Sequence, residues 1–259
     1  MSKPKLDPPC IGWLSDLPGP TNPPTFLADL GYDTPNHLDD IYLEMPRKSL
    51  ALRGIIIWFA VLQAYFVFYD YIWTFGLFGS SEQSDFLTDV IGFGTIIVSL
   101  WSTAIFFRLD TSPPRDLPIR FNRARQRIYA YNFQYRWWNP FEHWRVIPVS
   151  YDWSQVRAER WKLRGVTAQG GLIIKCGVVL SIVKPGTNKV IDRFPLSTMR
   201  ADEFAWAYIC TYMQQGPSTL PPPGPPRDHN DVPWYNLSLR LAPKVRWPAD
   251  MDQESRTAP

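Results

Sequence analysis

The sequence predicts an α+β membrane protein: a two-helix transmembrane hairpin, then an antiparallel β domain with an amphipathic helix at its end. Three observations predict it. Two long apolar segments, Gly54–Phe78 and Val90–Phe107, are separated only by a short acidic connection. Runs with period-two alternation follow between Ile119 and Phe194, and a helix-period segment follows at 198–215.

Residues 1–46 read as a Pro/Asp-rich cytoplasmic tail. Pro-Pro stands at 8–9 and 23–24, Gly-Pro at 19–20, and the apolar residues are isolated. Such a segment buries too little apolar surface to fold alone, so an extended tail docked on the later domain is expected. Residues 47–110 form the hairpin, with helices at about 54–78 and 86–107. About 20 apolar residues at 1.5 Å rise cross a hydrocarbon core. Both segments are apolar all round and lack the polar stripe of a surface helix. Arg47, Lys48 and Arg53 precede them and a series of arginines from Arg108 follows, whereas Gly79–Asp89 holds three acids and no Lys or Arg. The positive-inside rule then places both termini of a multi-pass protein in the cytoplasm. Asp70 lies near the outer end, where an interfacial acid is expected rather than an ion site. Gly92 and Gly94 suit close helix packing.

Asp110–Pro118 reads as a stiff spacer with three prolines. The cytoplasmic β domain occupies 118–216. Ile119–Asn122 and Arg127–Tyr131 form a hairpin around Arg123–Gln126. Trp144–Tyr151, Gln155–Leu163, Leu172–Val183 and Lys189–Phe194 read as further strands. A closing helix, 198–215, has Phe204, Tyr208 and Tyr212 at i+4 spacing and stops at Gly216-Pro217. Residues 217–259 read as a Pro-rich C-terminal tail, in which Trp234–Trp247 packs on the domain or the membrane surface and the residues beyond Asp250 are disordered. Six or seven antiparallel strands and one late helix is the element order of a pleckstrin-homology-like barrel; a two-sheet sandwich with a capping helix is the alternative.

The net charge of +3 is too small to argue for nucleic acid as a partner. Three cysteines at no recognisable spacing argue against a disulfide framework and a zinc site. His37, His143 and His229 do not stand at metal-ligand spacing, and the sequence holds no phosphate-binding loop or nucleophile elbow. No catalytic residue, metal or cofactor is therefore expected, and no enzyme. Two features could carry binding. Arg120, Arg123, Arg125 and Arg127 form a basic cluster that either faces anionic lipid headgroups or serves topology and solvated strand faces. Trp137, Trp138 and Phe141 form an aromatic loop that is either an interaction surface or part of the domain's own packing, since Asn139-Pro140 is ordinary turn chemistry.

Several strings together carry a family resemblance: Pro118–Arg123 through Tyr129, Trp137-Trp138-Asn139-Pro140-Phe141, Tyr151-Asp152-Trp153, and Val190–Phe194. Over roughly residues 40–215 the chain resembles uncharacterised proteobacterial inner-membrane proteins with a helical hairpin and a cytoplasmic domain of unknown function. The resemblance implies a gene neighbourhood of type VI secretion, among toxins and their immunity or accessory proteins. It brings no catalytic residues. The expected partners are the lipid bilayer and a protein, either a toxin or a secretion component. The expected function is a protein-binding immunity or accessory factor; the alternative is a membrane-tethered lipid- or protein-sensing scaffold.

Overall fold

Runs of Ile, Val and aromatic side chains, which pack well on a pleated surface, build two antiparallel sheets in this computed structural model. The structure describes residues 3–31, 34–47, 53–74, 86–166, 171–196, 203–226, 228 and 230–259. In chain order the strands are β1 (Trp13–Asp16), β2 (His37–Leu38), β3 (Tyr42–Met45), β4 (Ile119–Asn122), β5 (Arg127–Gln134), β6 (Arg145–Asp152), β7 (Val156–Val166), β8 (Leu172–Val183) and β9 (Val190–Pro195). The helices are α1 (Ile56–Thr74), α2 (Phe86–Thr111), α3 (Glu203–Gln215), α4 (Leu237–Leu241) and α5 (Ala249–Arg256). One sheet has the order β2-β3-β4-β5-β6 and the other β1-β7-β8-β9.

The two sheets share one core. Leu43, Ile119, Phe121 and Ile128 from the first belong to the same buried cluster as Val156, Val178, Leu180 and Ile182 from the second. The i+4 apolar face of α3 adds Trp206, Ile209, Tyr212 and Met213. Trp206 lies 5.4 Å from Trp153, centroid to centroid, and its indole N–H donates to the Pro18 carbonyl at 3.0 Å. Beyond α3, Gly216 has φ 91°, a left-handed conformation that favours glycine, and a Cβ there would stand 3.2 Å from the Arg123 guanidinium.

Three expectations are corrected here. The β elements do not close into one barrel, because β1, β2 and β3 come from residues 13–45 and extend two separate sheets. Short, proline-flanked strands of two to four residues give no periodic signal, and β3 finds its partner β4 far along the chain, with Leu43 opposite Phe121. The two-span hairpin also fails. Among the described residues one helix alone is long and apolar enough to cross a membrane, Val90–Thr111, with mean hydropathy 2.0. The apolar part of α1 is Ile56–Tyr69, about 21 Å at 1.5 Å per residue against a core of about 30 Å. The multi-pass inner-membrane location, and the orientation drawn from it, fall with the hairpin. The acidic connection, the ends of both apolar segments near it, the Asp70 side chain and the 198–202 start of the closing helix lie outside the described residues.

Residues beyond 217 do not trail away. α4 lies against α2 and α5 against β4 and β5, so a segment read as a tail covers the outer face of the first sheet.

Replacing Trp206 by Ala should lower the unfolding free energy by about 3–5 kcal/mol, the usual range for a buried aromatic. Urea titration followed by tryptophan fluorescence measures it; a loss below about 1 kcal/mol would mean that α3 does not seal the shared core.

Candidate functional site

The period-two alternation of β4 points Ile119 and Phe121 into the core and Arg120 and Asn122 outward. All four residues are nevertheless buried, because α5 lies over the outward face. Arg120 is fully buried. Its Nε donates to Glu44 of β3 at 2.5 Å, and its Nη1 donates to Asp252 and to Ser255 Oγ, both at 2.7 Å. Trp247, just before α5, stacks on the same guanidinium at 4.5 Å. Nη2 of Arg120 is buried with no hydrogen-bond partner among the described residues.

The neighbouring polar side chains grip the end of the same helix. Asn122 Nδ2 donates to the carbonyls of Ser255 and Thr257 at 3.0 Å. Arg125 Nε donates to the Thr257 carbonyl at 2.9 Å and Nη2 to that of Ala258 at 2.7 Å. A helix leaves its last carbonyls without intrahelical partners, and cations suit that end of its dipole. Arg127 pairs with Glu254 at 2.6 Å. Tyr129, also on this face, is fully buried, and burial, together with the Glu254 carboxylate, pushes its hydroxyl up to about 12. These groups form a basic groove with an acidic helix seated in it.

The expectation that Arg120, Arg123, Arg125 and Arg127 face lipid is corrected by this arrangement. Arg120, Arg125 and Arg127 are engaged with α5. Arg123 stands apart, against Gly216 at the end of α3, while its backbone N–H donates to the Ile41 carbonyl at 2.8 Å. The sequence signal for the groove was present but incomplete: Arg120 and Asn122 alternate correctly, and nothing near them in sequence shows that a segment 130 residues later covers them.

A second region of interest is the pair of apolar helices. α1 packs along α2, with its start against the end of α2. The buried Asp110 carboxylate accepts from the backbone N–H groups of Gly54 and Ile57 at 3.0 and 2.8 Å, and from Ser238 of α4 at 2.5 Å. It therefore caps the start of α1 from another helix. Arg53 donates to the carbonyls of Asp110, Pro113 and Pro114; burial, opposed by Asp110 and Asp116, pulls its pKa down to about 10. Above this junction the outward side chains of α1 and α2 are open: Trp58, Phe59, Tyr65, Phe68, Ile91, Ile97 and Val98 are all at least half exposed.

The aromatic loop adjoins the same junction. Arg108, in the last turn of α2, donates to the carbonyls of Pro140 and Glu142 and stacks on Trp144 at 4.5 Å. Asn139 Oδ1 accepts from the Phe141 N–H at 3.1 Å, the turn chemistry read from Asn-Pro. Trp137, Trp138 and Phe141 are 66%, 50% and 79% exposed, so the loop is held through its backbone while its rings face outward. Trp234 and Tyr235, beside Asn236 at the start of α4, are likewise exposed.

Among the described residues the histidines and cysteines do not converge on one another. His37 pairs with Asp39 at 2.8 Å and stacks on Tyr42, His143 is exposed, and His229 lies outside the described residues. Asp192 accepts from the Tyr151 hydroxyl at 2.8 Å, rather than from an arginine side chain. Burial pushes the Cys10 and Cys210 thiols up to about 12, away from the thiolate range. No group of three His, Cys, Asp or Glu side chains suited to a metal occurs among the described residues.

The profile of a family of unknown function, DUF6708, matches residues 96–259. The chain belongs to that family. The family segment runs from within α2 to beyond α5, and so contains Arg120, Asn122, Arg125 and Arg127 of the groove and the helix seated in it, but not Glu44. No curated protein and no solved structure matches the chain.

Arg120→Ala takes a buried guanidinium away from the Glu44 carboxylate and from Asp252 and should cost about 3–5 kcal/mol of stability. The double variant Arg120→Met/Glu44→Leu should recover most of that loss, since it removes the buried charges together. Equal stability of the single and double variants in urea would show that the pair is not coupled.

Proposed function

We propose that this chain is a protein-binding immunity or accessory factor linked to a type VI secretion toxin. The observation that carries the binding part is the open apolar surface of α1 and α2, held on a rigid β scaffold. Contiguous apolar patches of this extent mark interaction surfaces on folded proteins. Trp58, Tyr65 and Trp101, all substantially exposed, are of the residue types that anchor protein interfaces. The link to a toxin rests on the resemblance of the β4–β5, aromatic-loop and β9 strings to proteins encoded beside such toxins. Co-expression of the chain with each toxin gene adjoining its own tests the reading. Growth should be rescued from one of them, and Phe59→Lys combined with Phe66→Lys should abolish rescue while tryptophan fluorescence shows the β domain folded. Failure to rescue from any adjoining toxin sinks the proposal.

A second reading, a lipid- or protein-sensing scaffold tethered to a membrane, is favoured by one observation. Val90–Thr111 is apolar, only 6% of its window is buried, and at 1.5 Å per residue it extends about 33 Å. In this reading the exposed Trp and Tyr rings near its foot suit a membrane–water interface. Arg120, Arg125 and Arg127 do not carry this reading, since α5 is seated on them in this structure. The purified full chain should float with phosphatidylcholine vesicles, with little dependence on added anionic lipid. A chain that stays at the bottom of the gradient rules this reading out.

A further inference from the structure

We propose that the groove formed by Glu44, Arg120, Asn122, Arg125 and Arg127 is an exchangeable binding site for an acidic helix, which the chain fills with its own α5 until a partner protein supplies a better one. The inference does not depend on the toxin assignment. It starts from how α5 is held. Its sequence, Ala249–Arg256, has no large apolar side chain except Met251, and Ser255 is its one buried residue. Among the described residues it is otherwise fastened mainly by ion pairs and hydrogen bonds to arginines and to Asn122. Those of Arg125 and Arg127, which water reaches, weaken with salt and contribute little, whereas those of Arg120 and Asn122 are buried.

The segment just before α5 is held quite differently. Trp247 packs at 5.1 Å on Tyr131 and at 4.5 Å on Arg120, and the Arg246 carbonyl accepts from the Tyr131 hydroxyl. Pro248 then separates this aromatic anchor from the polar helix. The helix can therefore leave the groove while Trp247 stays, and the chain before it need not move.

The groove also asks for more than α5 gives. Arg120 presents three nitrogens. Glu44 takes one, Asp252 and Ser255 share the second, and the third, Nη2, is buried without a partner. A guanidinium matches a carboxylate best through two parallel bonds. A partner helix that places a carboxylate across Nη1 and Nη2 satisfies the group that α5 leaves orphaned. The rest of the recognition is already specified by the occupant: a second acid two residues later for Arg127, as Glu254 stands to Asp252, and free carbonyls of a last helical turn for Asn122 and Arg125. The site therefore selects a short acidic helix near its C-terminal end, and disfavours basic segments by like charge.

The full chain carrying Asp252→Lys and Glu254→Lys tests this, with a fluorescent peptide of residues 247–259 as the probe. The loosened chain should bind the peptide about tenfold or more tighter than the wild-type chain does, and binding should fall steeply between low and high salt. A peptide with Asn and Gln in place of Asp252 and Glu254 should not bind. If the loosened chain remains folded by circular dichroism and leaves the peptide free, the proposal is overturned. Hydrogen exchange on the wild-type chain decides the matter even where the variant does not fold. Amides of 249–257 should exchange faster than those of β4 and accelerate with salt; protection equal to that of β4 makes α5 a fixed part of the fold and overturns the proposal.

Discussion

Buried guanidinium groups that donate to backbone carbonyls and carboxylates hold this molecule together. Arg47 is the central case. Almost wholly buried, it donates to the carbonyls of Leu117 at 2.6 Å and Tyr131 at 2.8 Å, and to Asn132 at 2.9 Å, and it reaches Pro195 at the end of β9. One side chain thus ties the sheet containing β5 to the sheet containing β9. Burial pulls its pKa down to about 10, and Asp116 opposes the fall, so the charge is kept throughout the physiological range. Removing such a group leaves several carbonyls unpaired in a place water cannot reach, which costs more than the bonds themselves contribute.

The same device recurs wherever a distant segment joins the sheets. Arg115 donates to the carbonyls of Leu239 and Asn230, fixing the approach to α4. Arg193 pairs with the buried Glu159, which accepts from the Cys10 N–H and the Ser181 hydroxyl, and Arg193 also donates to the Pro8 carbonyl. Irregular, proline-laden segments cannot satisfy their carbonyls through a regular ladder. Arginine, with five donors in a fixed fork, satisfies several at once. The many arginines after α2 suggest membrane topology or lipid contact when read alone; in three dimensions Arg115, Arg125 and Arg193 fasten segments that lack secondary structure.

This is also why the local sequence reading succeeds in some places and fails in others. The β4–β5 hairpin forms with Asn122 opposite Arg127, as its alternation and four-residue turn predict, and the β-branched run Leu172–Val183 is β8. Both depend on neighbours in the chain. Burial of Arg120 and Asn122 depends on Asp252, Ser255 and Thr257, more than 130 residues later, and alternation alone reads them as solvent-facing. Tyr42–Met45 is a strand only because β4 pairs with it. The apolar helices mislead for a different reason. Hydropathy reports that a segment avoids water, not how far it extends, and among the described residues the apolar run of α1, Ile56–Tyr69, is shorter than a membrane span.

The contrast between the two candidate surfaces follows from the same physics. The base of α1 and α2 is closed by the fully buried Asp110, which accepts from three donors in two parts of the chain, the start of α1 and α4. Losing its donors would leave a carboxylate charge unmet away from water, so this junction is costly to open. α5 is fastened by charges that water and salt can reach, around a single buried arginine that it satisfies incompletely. A surface fixed in this way presents one shape to whatever covers it, whereas a surface whose occupant is held by screened, partly unmet charges can exchange that occupant. Specific recognition with a choice of partner is therefore better served by the groove on the face of β4 than by the apolar arm.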